Sequence, residues 1–220
     1  MRTGTEATAL APQDGALAVV TAQGPRRART VVLALAPEQT LRLLEGSPDL
    51  AAAAPAEAAS LRALLGLARS EPSLALAALY PGTCPAPPWD LLYPEDSRIL
   101  QLVAHDSAKR PGPGLLGLVL QAHARWAGAH LEDPEWPRLL RAEAARLLGP
   151  WAAAPLHQHP HRWRYARTGR SGEMAAPLLF HLPGGTRLGI CGDRFAAGGG
   201  VEGAWLSGRA LARRILLEDA

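Results

Sequence analysis

GICGDRFAAGGGVEGAWLSGRALA, residues 189–212, is the stretch on which the reading of this chain turns. An apolar strand over Arg187 to Cys191 runs into Gly192-Asp193, a loop closes on Gly198-Gly199-Gly200, and a helix is expected from about Val201 to Leu217. Along that helix Val201, Ala204, Gly208, Leu211 and Ile215 share one face, and the small residues among them allow close approach to a sheet. Arg209, Arg213 and Arg214 sit toward its C-terminal end, where positive charge complements the helix dipole. A strand ending in Gly-Asp, a glycine loop and a helix start together make a place to hold a polar group with an apolar body. Gly192 permits close backbone approach, Asp193 offers a carboxylate to sugar-type hydroxyls, and the free N–H groups near Val201 to Gly203 present partial positive charge. On its own the pattern is weakly specific, because an aspartate so placed is more often a turn or capping residue.

Upstream, HRWRYA at residues 161–166 alternates Arg162 and Arg164 with Trp163 and Tyr165, so a strand there carries rings on one face and guanidinium groups on the other. Either the rings pack into the core, or they border a cavity where a planar nicotinamide or an amine stacks. In the second case Arg162, Arg164 or Arg167 could meet a substrate phosphate bidentately. His157, His159 and His161 just before this strand read as surface histidines on a loop, since no carboxylate or cysteine lies nearby in sequence to complete a metal site. His105-Asp106-Ser107 does not read as a hydrolase triad, because adjacent residues on a strand point apart. No GxSxG elbow occurs, and the glycines at 198–200 lack the following Lys-Ser or Lys-Thr of a phosphate loop. No catalytic residue is identified and no metal is expected.

Farther toward the N-terminus the chain reads as alternating strands and helices. Strands are expected near Leu74 to Leu79, Ile99 to His105 and Gly114 to Gln121. A helix is expected to start with Asp133 as N-cap and Pro134 at its first position, to present Trp136, Leu139, Leu140, Ala144 and Leu147, and to stop at Gly149-Pro150. Cys84 to Pro88 and Pro111 to Gly114 read as turns. Thr30 to Ala36 is a continuous apolar run of the kind covered on both faces in a parallel sheet, with Pro37 opening a helix through Leu41, Leu43 and Leu44. Thr5 to Leu10 and Leu17 to Ala22, separated by Gln13-Asp14-Gly15, read as a β-ribbon.

The chain has 220 residues, 48% of them hydrophobic and 20% charged, enough for a substantial core. Its net charge of +3 comes from scattered arginines with one lysine, Lys109, and not from a local basic stripe, which argues against nucleic-acid binding. No apolar run is long enough to span a membrane and no secretory pattern is evident, so a cytoplasmic location is expected. Cys84 and Cys191 are too few for a disulfide framework and read as free thiols.

Taken whole, residues 189–212 resemble the C-terminal flavin-binding segment of the renalase-like branch of FAD-dependent amine oxidases. HRWRYA at 161–166, LVAHDSAKRPG at 102–112 and VVLALAPEQTLRLL at 31–44 resemble, in the same order, further segments of bacterial members. The resemblance implies an α/β fold: a partial FAD-binding, Rossmann-like lobe of the amine-oxidase type and a mixed-sheet substrate lobe. Residues 1–40 would be a remnant of the FAD-binding domain, 41–162 the substrate domain, and 163–220 the return to the FAD-binding domain. FAD is the implied cofactor, held by Gly192, Asp193, Gly200, Val201, Glu202, Gly203 and Ala204, with Trp163, Tyr165 and Arg162 at the substrate cavity. The implied activity is removal of hydride from a small-molecule substrate, a reduced nicotinamide-type compound or an amine. Family members open with a strand, a GxGxxG turn and a helix, and residues 1–40 contain no such fingerprint. The chain is therefore expected to be incomplete as an oxidoreductase; the alternative is a non-catalytic fragment or partner subunit that needs a separate GxGxxG chain.

Overall fold

Asp14 and Gly15 both take positive φ, 47° and 71°, which suits a two-residue hairpin turn. They join β1 (Ala7–Gln13) to β2 (Ala16–Thr21), and β3 (Arg26–Ala28) adds to β2 to complete a three-stranded antiparallel sheet. The expected β-ribbon thus gains a third strand. The computed structural model describes residues 2–109, 114–169 and 172–219, so of the turn read at Pro111 to Gly114 only Gly114 is among the described residues. Two compact units divide the chain, residues 1–70 with 167–220, and residues 71–166.

In the first unit β4 (Thr30–Leu33) is followed by α1 (Pro37–Glu45), α2 (Pro48–Ala53) and α3 (Pro55–Gly66). Each helix opens on a proline, whose preset φ and missing N–H suit a first turn. The chain returns through β10 (Leu178–Leu182), β11 (Thr186–Ile190) and α6 (Gly200–Glu218). The sheet order is β10-β11-β4, with β10 antiparallel and β4 parallel to the central β11. Alternation along β11 divides the two faces. Leu188 and Ile190 join Val31, Leu33, Leu43, Leu61 and hairpin residues Leu10 and Leu17 in one core, while Cys191 packs with Leu179 and Leu211 on the side of α6.

The parallel strand is shorter than the expected run of Thr30 to Ala36 and is not covered on both faces, since Val32 is 45% exposed. Val32 lies on the α6 side of the outermost strand, beside Gly189, and α6 does not reach across it. Residues 41–70 pack in this unit and not with the middle of the chain. Leu43, Leu44, Leu50, Leu61 and Leu65 share the core of Leu10 and Leu17. Ser47 fastens the two layers, its Oγ accepting the Leu10 N–H at 2.8 Å and donating to the Leu43 carbonyl at 2.6 Å.

The second unit is built on a five-stranded sheet in the order β6-β7-β8-β5-β9. Its strands are β5 (Ser70–Pro81), β6 (Leu91–Leu92), β7 (Leu100–His105), β8 (Leu115–Ala122) and β9 (His157–Thr168). α4 (Ala124–His130) and α5 (Trp136–Leu148) belong to the same unit. Leu74, Leu76, Ala78, Tyr80, Leu116, Leu118 and Leu120 meet Trp136, Leu140 and Ala144 in the core. The Tyr80 hydroxyl, pushed up to a pKa of about 12 chiefly by burial, donates to the Ala152 carbonyl at 2.9 Å. α5 stops at Gly149 (φ 114°) as expected but starts later than expected, with Glu135 as N-cap. Asp133 instead accepts the Glu135 N–H at 2.8 Å, so it closes the preceding turn. The histidines expected on a loop, His157, His159 and His161, lie exposed within β9.

Candidate functional site

Ile190 stands opposite Leu33 in the parallel pair, and the Cys191 N–H donates to the Leu33 carbonyl at 3.1 Å. β11 and β4 therefore leave the sheet side by side, and the space beyond the carboxyl ends of parallel strands is where open α/β sheets hold ligands. Gly192 follows at φ 150°, a value that favours glycine. Its N–H donates to Ser207 Oγ at 2.9 Å, and its carbonyl accepts the Phe195 N–H at 3.1 Å. The Ser207 hydroxyl is placed to donate to the Gly192 carbonyl at 2.8 Å or the Ala204 carbonyl at 3.1 Å.

Asp193 is half-buried, and both its carboxylate oxygens are engaged. Oδ2 accepts the Thr168 N–H at 2.8 Å and Oδ1 the Thr168 hydroxyl at 3.0 Å. Arg194 is only 3% exposed. Its Nη2 donates to the Leu64 carbonyl at 2.6 Å and its Nη1 lies 3.5 Å from that of Leu65, both in the last turn of α3. No carboxylate among the described residues forms an ion pair with it, its Nε has no partner among them, and burial pushes its pKa below the usual value.

Gly198, Gly199 and Gly200 take φ of 82°, 56° and 70°, three successive left-handed positions that side chains disfavour. Gly199 is the N-cap of α6 and has no side chain to accept the first N–H groups, while the Gly203 N–H bonds back to the Gly199 carbonyl at 3.1 Å. The helix start is open: Val201 is 90% exposed, Glu202 is exposed, and a Cβ added to Gly200 would meet nothing within 4 Å. Gly203 is buried and Ala204 half-buried behind them. The amides of Gly200, Val201 and Glu202 precede the first intrahelical bond, so they suit a ligand that brings acceptors or negative charge on a flat body. The flavin end of FAD is such a group. Residues 1–40 hold no GxGxxG loop for the pyrophosphate, and the one string of that form, residues 112–117, leads into β8 and not into a helix, so the described residues fit one end of FAD and not the other.

Gly192, Asp193, Gly200, Val201, Glu202, Gly203 and Ala204 are thus brought together in the first unit. Trp163, Tyr165 and Arg162 belong to β9 in the second. Arg162 lies over the Trp136 ring, 6.0 Å from its centroid, and Arg164 is bidentate to Glu132. Trp163 is on the other face, 51% exposed, with its ring 4.3 Å from that of His161. Core packing therefore does not account for Trp163, and Arg162 and Trp163 do not converge on one cavity. Sequence reasoning passed over Thr168, Arg194 and Ser207. Only Ser207 carried a periodic signal, lying four residues from both Gly203 and Leu211.

An open pocket of about 770 Å³ lies at the opposite, amino-terminal ends of β4 and β11, lined by Arg29, Thr30, His181, Arg187, Glu218 and Asp219 among others. Arg187 there donates to Thr30 Oγ1 at 3.0 Å and to Asp219 at 2.7 Å, so this end ties the last turn of α6 to the sheet. Among the described residues no group of three or more His, Cys, Asp or Glu could hold a metal ion, and no helix is long and apolar enough to cross a membrane.

The fold has solved counterparts. An oxidoreductase from Methanosarcina mazei is 17% identical with a TM-score of 0.67, the match covering 96% of this chain and 49% of that one. A putrescine oxidase bound to putrescine is 19% identical with a TM-score of 0.66, covering 97% and 48%. Cyclohexylamine oxidase from Brevibacterium oxydans IH-35A is 17% identical with a TM-score of 0.63, again covering 97% and 48%. The chain spans about half the length of these proteins. Residues 1–216 match the family described as flavin containing amine oxidoreductase, for which FAD is the cofactor. With this match over nearly its whole length, and with an α/β fold shared with two amine oxidases, the chain belongs to the flavin-containing amine oxidoreductase family.

Proposed function

We propose that this chain supplies the carboxy-terminal half of a flavin site in a renalase-like oxidoreductase, which removes hydride from a reduced nicotinamide-type or amine substrate. The observation that carries the reading is the uncapped, glycine-led start of α6 just beyond the carboxyl ends of β4 and β11. FAD, when bound, supplies the acceptor for the hydride. The amides of Gly200, Val201 and Glu202 would lend partial positive charge to a flavin held there, which would favour its reduced state. Gly203 and Ala204 keep that turn slim. Gly192 lets the chain turn sharply, and Asp193 keeps lone pairs beyond those used by Thr168 for ribityl hydroxyls.

Trp163 and Tyr165 offer ring faces to a planar substrate. They lie on the face of the five-stranded sheet opposite Trp136, which also carries Ala77 and Leu79 of β5 and Gly117 and Val119 of β8. The opposite placement of Arg162 leaves it off this surface and assigns it to the face of Trp136. Cytoplasmic action is part of the reading, in keeping with the free thiols of Cys84 and Cys191.

A second reading, a non-catalytic partner subunit completed by a separate GxGxxG chain, is favoured by the outer edge of β4. Among the described residues that strand pairs only with β11, and Val32 within it and Leu35 just after it are exposed. The deciding experiment is the absorbance spectrum of the chain after incubation with FAD and desalting, alone and with a GxGxxG-bearing βαβ unit added in trans or fused upstream. Near-stoichiometric flavin only when that unit is present supports the half-site, and turnover of a reduced nicotinamide or amine then separates the enzyme from a non-catalytic subunit. Retention by the chain alone makes it an independent flavoprotein, and no retention under either condition overturns the flavin reading.

A further inference from the structure

We propose that Thr168 and Arg194 are positioning residues for the cofactor loop, holding the turn at Gly192–Phe195 from two sides so that the first amides of α6 are set in place by the protein itself. The proposal rests on the reading of that helix start as the flavin-contacting turn.

Asp193 and Arg194 are consecutive, yet their side chains run to different anchors. Thr168 meets Asp193 with both its N–H (2.8 Å) and its hydroxyl (3.0 Å), one on each carboxylate oxygen, and a two-point contact fixes the plane of the carboxylate as a single bond does not. Arg194 reaches the last turn of α3, with its Nη2 2.6 Å from the Leu64 carbonyl. α3 ends at Gly66 with Leu67 in right-handed helical geometry, so it lacks the left-handed cap that would satisfy its final carbonyls. The buried guanidinium shares that task with Arg69, which donates to the Gly66 carbonyl at 3.0 Å, both at the negative end of the helix dipole. A buried arginine with no carboxylate partner among the described residues is a costly way to close an ordinary loop. It is explicable where the loop must not shift. The backbone carbonyl of Arg194 also accepts the Met174 N–H at 2.7 Å.

The anchored turn bears directly on the helix start. A Cβ placed on Gly199 or Gly203 would lie 3.6 or 3.5 Å from the Asp193 carbonyl oxygen, so the N-cap and first turn of α6 rest on the Asp193 backbone. Ser207 holds the same turn from within α6, through Gly192. Fixing residues 193 and 194 therefore fixes where the amides of Gly200, Val201 and Glu202 point. Sites held by such supporting bonds bind without first having to order themselves.

The test is amide hydrogen exchange on the full chain, comparing peptides that cover residues 192–203 with peptides that cover 209–217, alongside the thermal midpoint. Thr168→Val is nearly isosteric and removes one anchor bond, Thr168→Ser restores it, and Arg194→Met and Arg194→Lys probe the other anchor. In Thr168→Val and Arg194→Met, exchange over 192–203 should rise about 5- to 10-fold, the loss expected for a part-buried hydrogen bond, with 209–217 unchanged and Thr168→Ser close to the parent. Exchange that rises equally in both regions, or no change over 192–203, would overturn the proposal. FAD titration of the parent chain with its GxGxxG unit is the separate arm. Failure to bind there sinks the flavin reading, while the exchange result still decides whether Thr168 and Arg194 hold the loop.

Discussion

Glu38, at the start of α1, accepts the Ser70 N–H at 2.7 Å on Oε1 and the Ser70 hydroxyl at 2.8 Å on Oε2. Burial alone would raise its pKa, but the bonds from Ser70 together with nearby Arg69 outweigh burial and hold it below the ordinary carboxylate value. Because the folded pKa is the lower one, the stabilisation is present above the unfolded pKa and is lost as pH falls through the folded value. Denaturant melts from pH 7 down to pH 3 should show Glu38→Gln less stable than the parent at pH 7 by about 1 kcal/mol. The two proteins should converge in acid; a gap that stays constant with pH would show that the charge of Glu38 is not involved. Asp193 shows the same geometry, one carboxylate holding the N–H and hydroxyl of one residue, here Thr168. The sequence marked Asp193 as polar and functional, but its partner lies 25 residues away and Arg194's lies 130 away, beyond the reach of any local pattern.

At the scale of elements, α6 shows how periodicity can be right in kind and shifted in phase. The expected face ran through Val201, Ala204, Gly208, Leu211 and Ile215, whereas the fully buried positions are Gly203, Ser207 and Leu211. The helix and its length were legible from the 3.6-residue repeat. Which stripe turns inward was not, because it depends on what the sheet presents. β11 presents Gly189, and a Cβ there would come within 2.9 Å of Leu211 Cδ2 and 3.3 Å of Cδ1. Gly189→Ala should therefore cost about 1–3 kcal/mol in chemical denaturation through overpacking. In a double-mutant cycle with Leu211→Ala the two losses should be less than additive. Strict additivity would mean that Gly189 matters for reasons other than contact with Leu211.

For the whole molecule, the first unit leaves apolar surface uncovered on one side. Val32 is 45% exposed beside a strand edge that is unpaired among the described residues, and Trp205, at 60%, is screened in part by Arg209, whose guanidinium lies 4.5 Å above its ring. A parallel pair ordinarily has both faces covered. Charge on that edge should have opposite effects on the isolated chain and on the assembled site. Val32→Lys should lower light scattering by the chain alone, because edge lysines discourage strand addition, and should abolish FAD retention in the presence of a GxGxxG unit. Flavin retention equal to the parent's would show that β4 is not the surface such a unit uses.

What the sequence by itself determined is local. The Asp14-Gly15 hairpin, the helix opening at Pro37, the stop at Gly149 and the glycine turn before α6 each follow from allowed φ values and from hydrogen bonds a few residues long. The resemblance carried by residues 189–212 led to the family in the same way, because that turn is a contiguous motif. The tertiary structure decided where the chain divides, at 70/71 and 166/167, because the buried leucines of α1 to α3 found their partners in the hairpin. It also decided which stripe of α6 is buried, that Arg162 and Trp163 part company across β9, and that Thr168 and Arg194 brace the loop. All of these depend on surfaces and partners distant in sequence, and burial and buried hydrogen bonds are settled only when those surfaces meet.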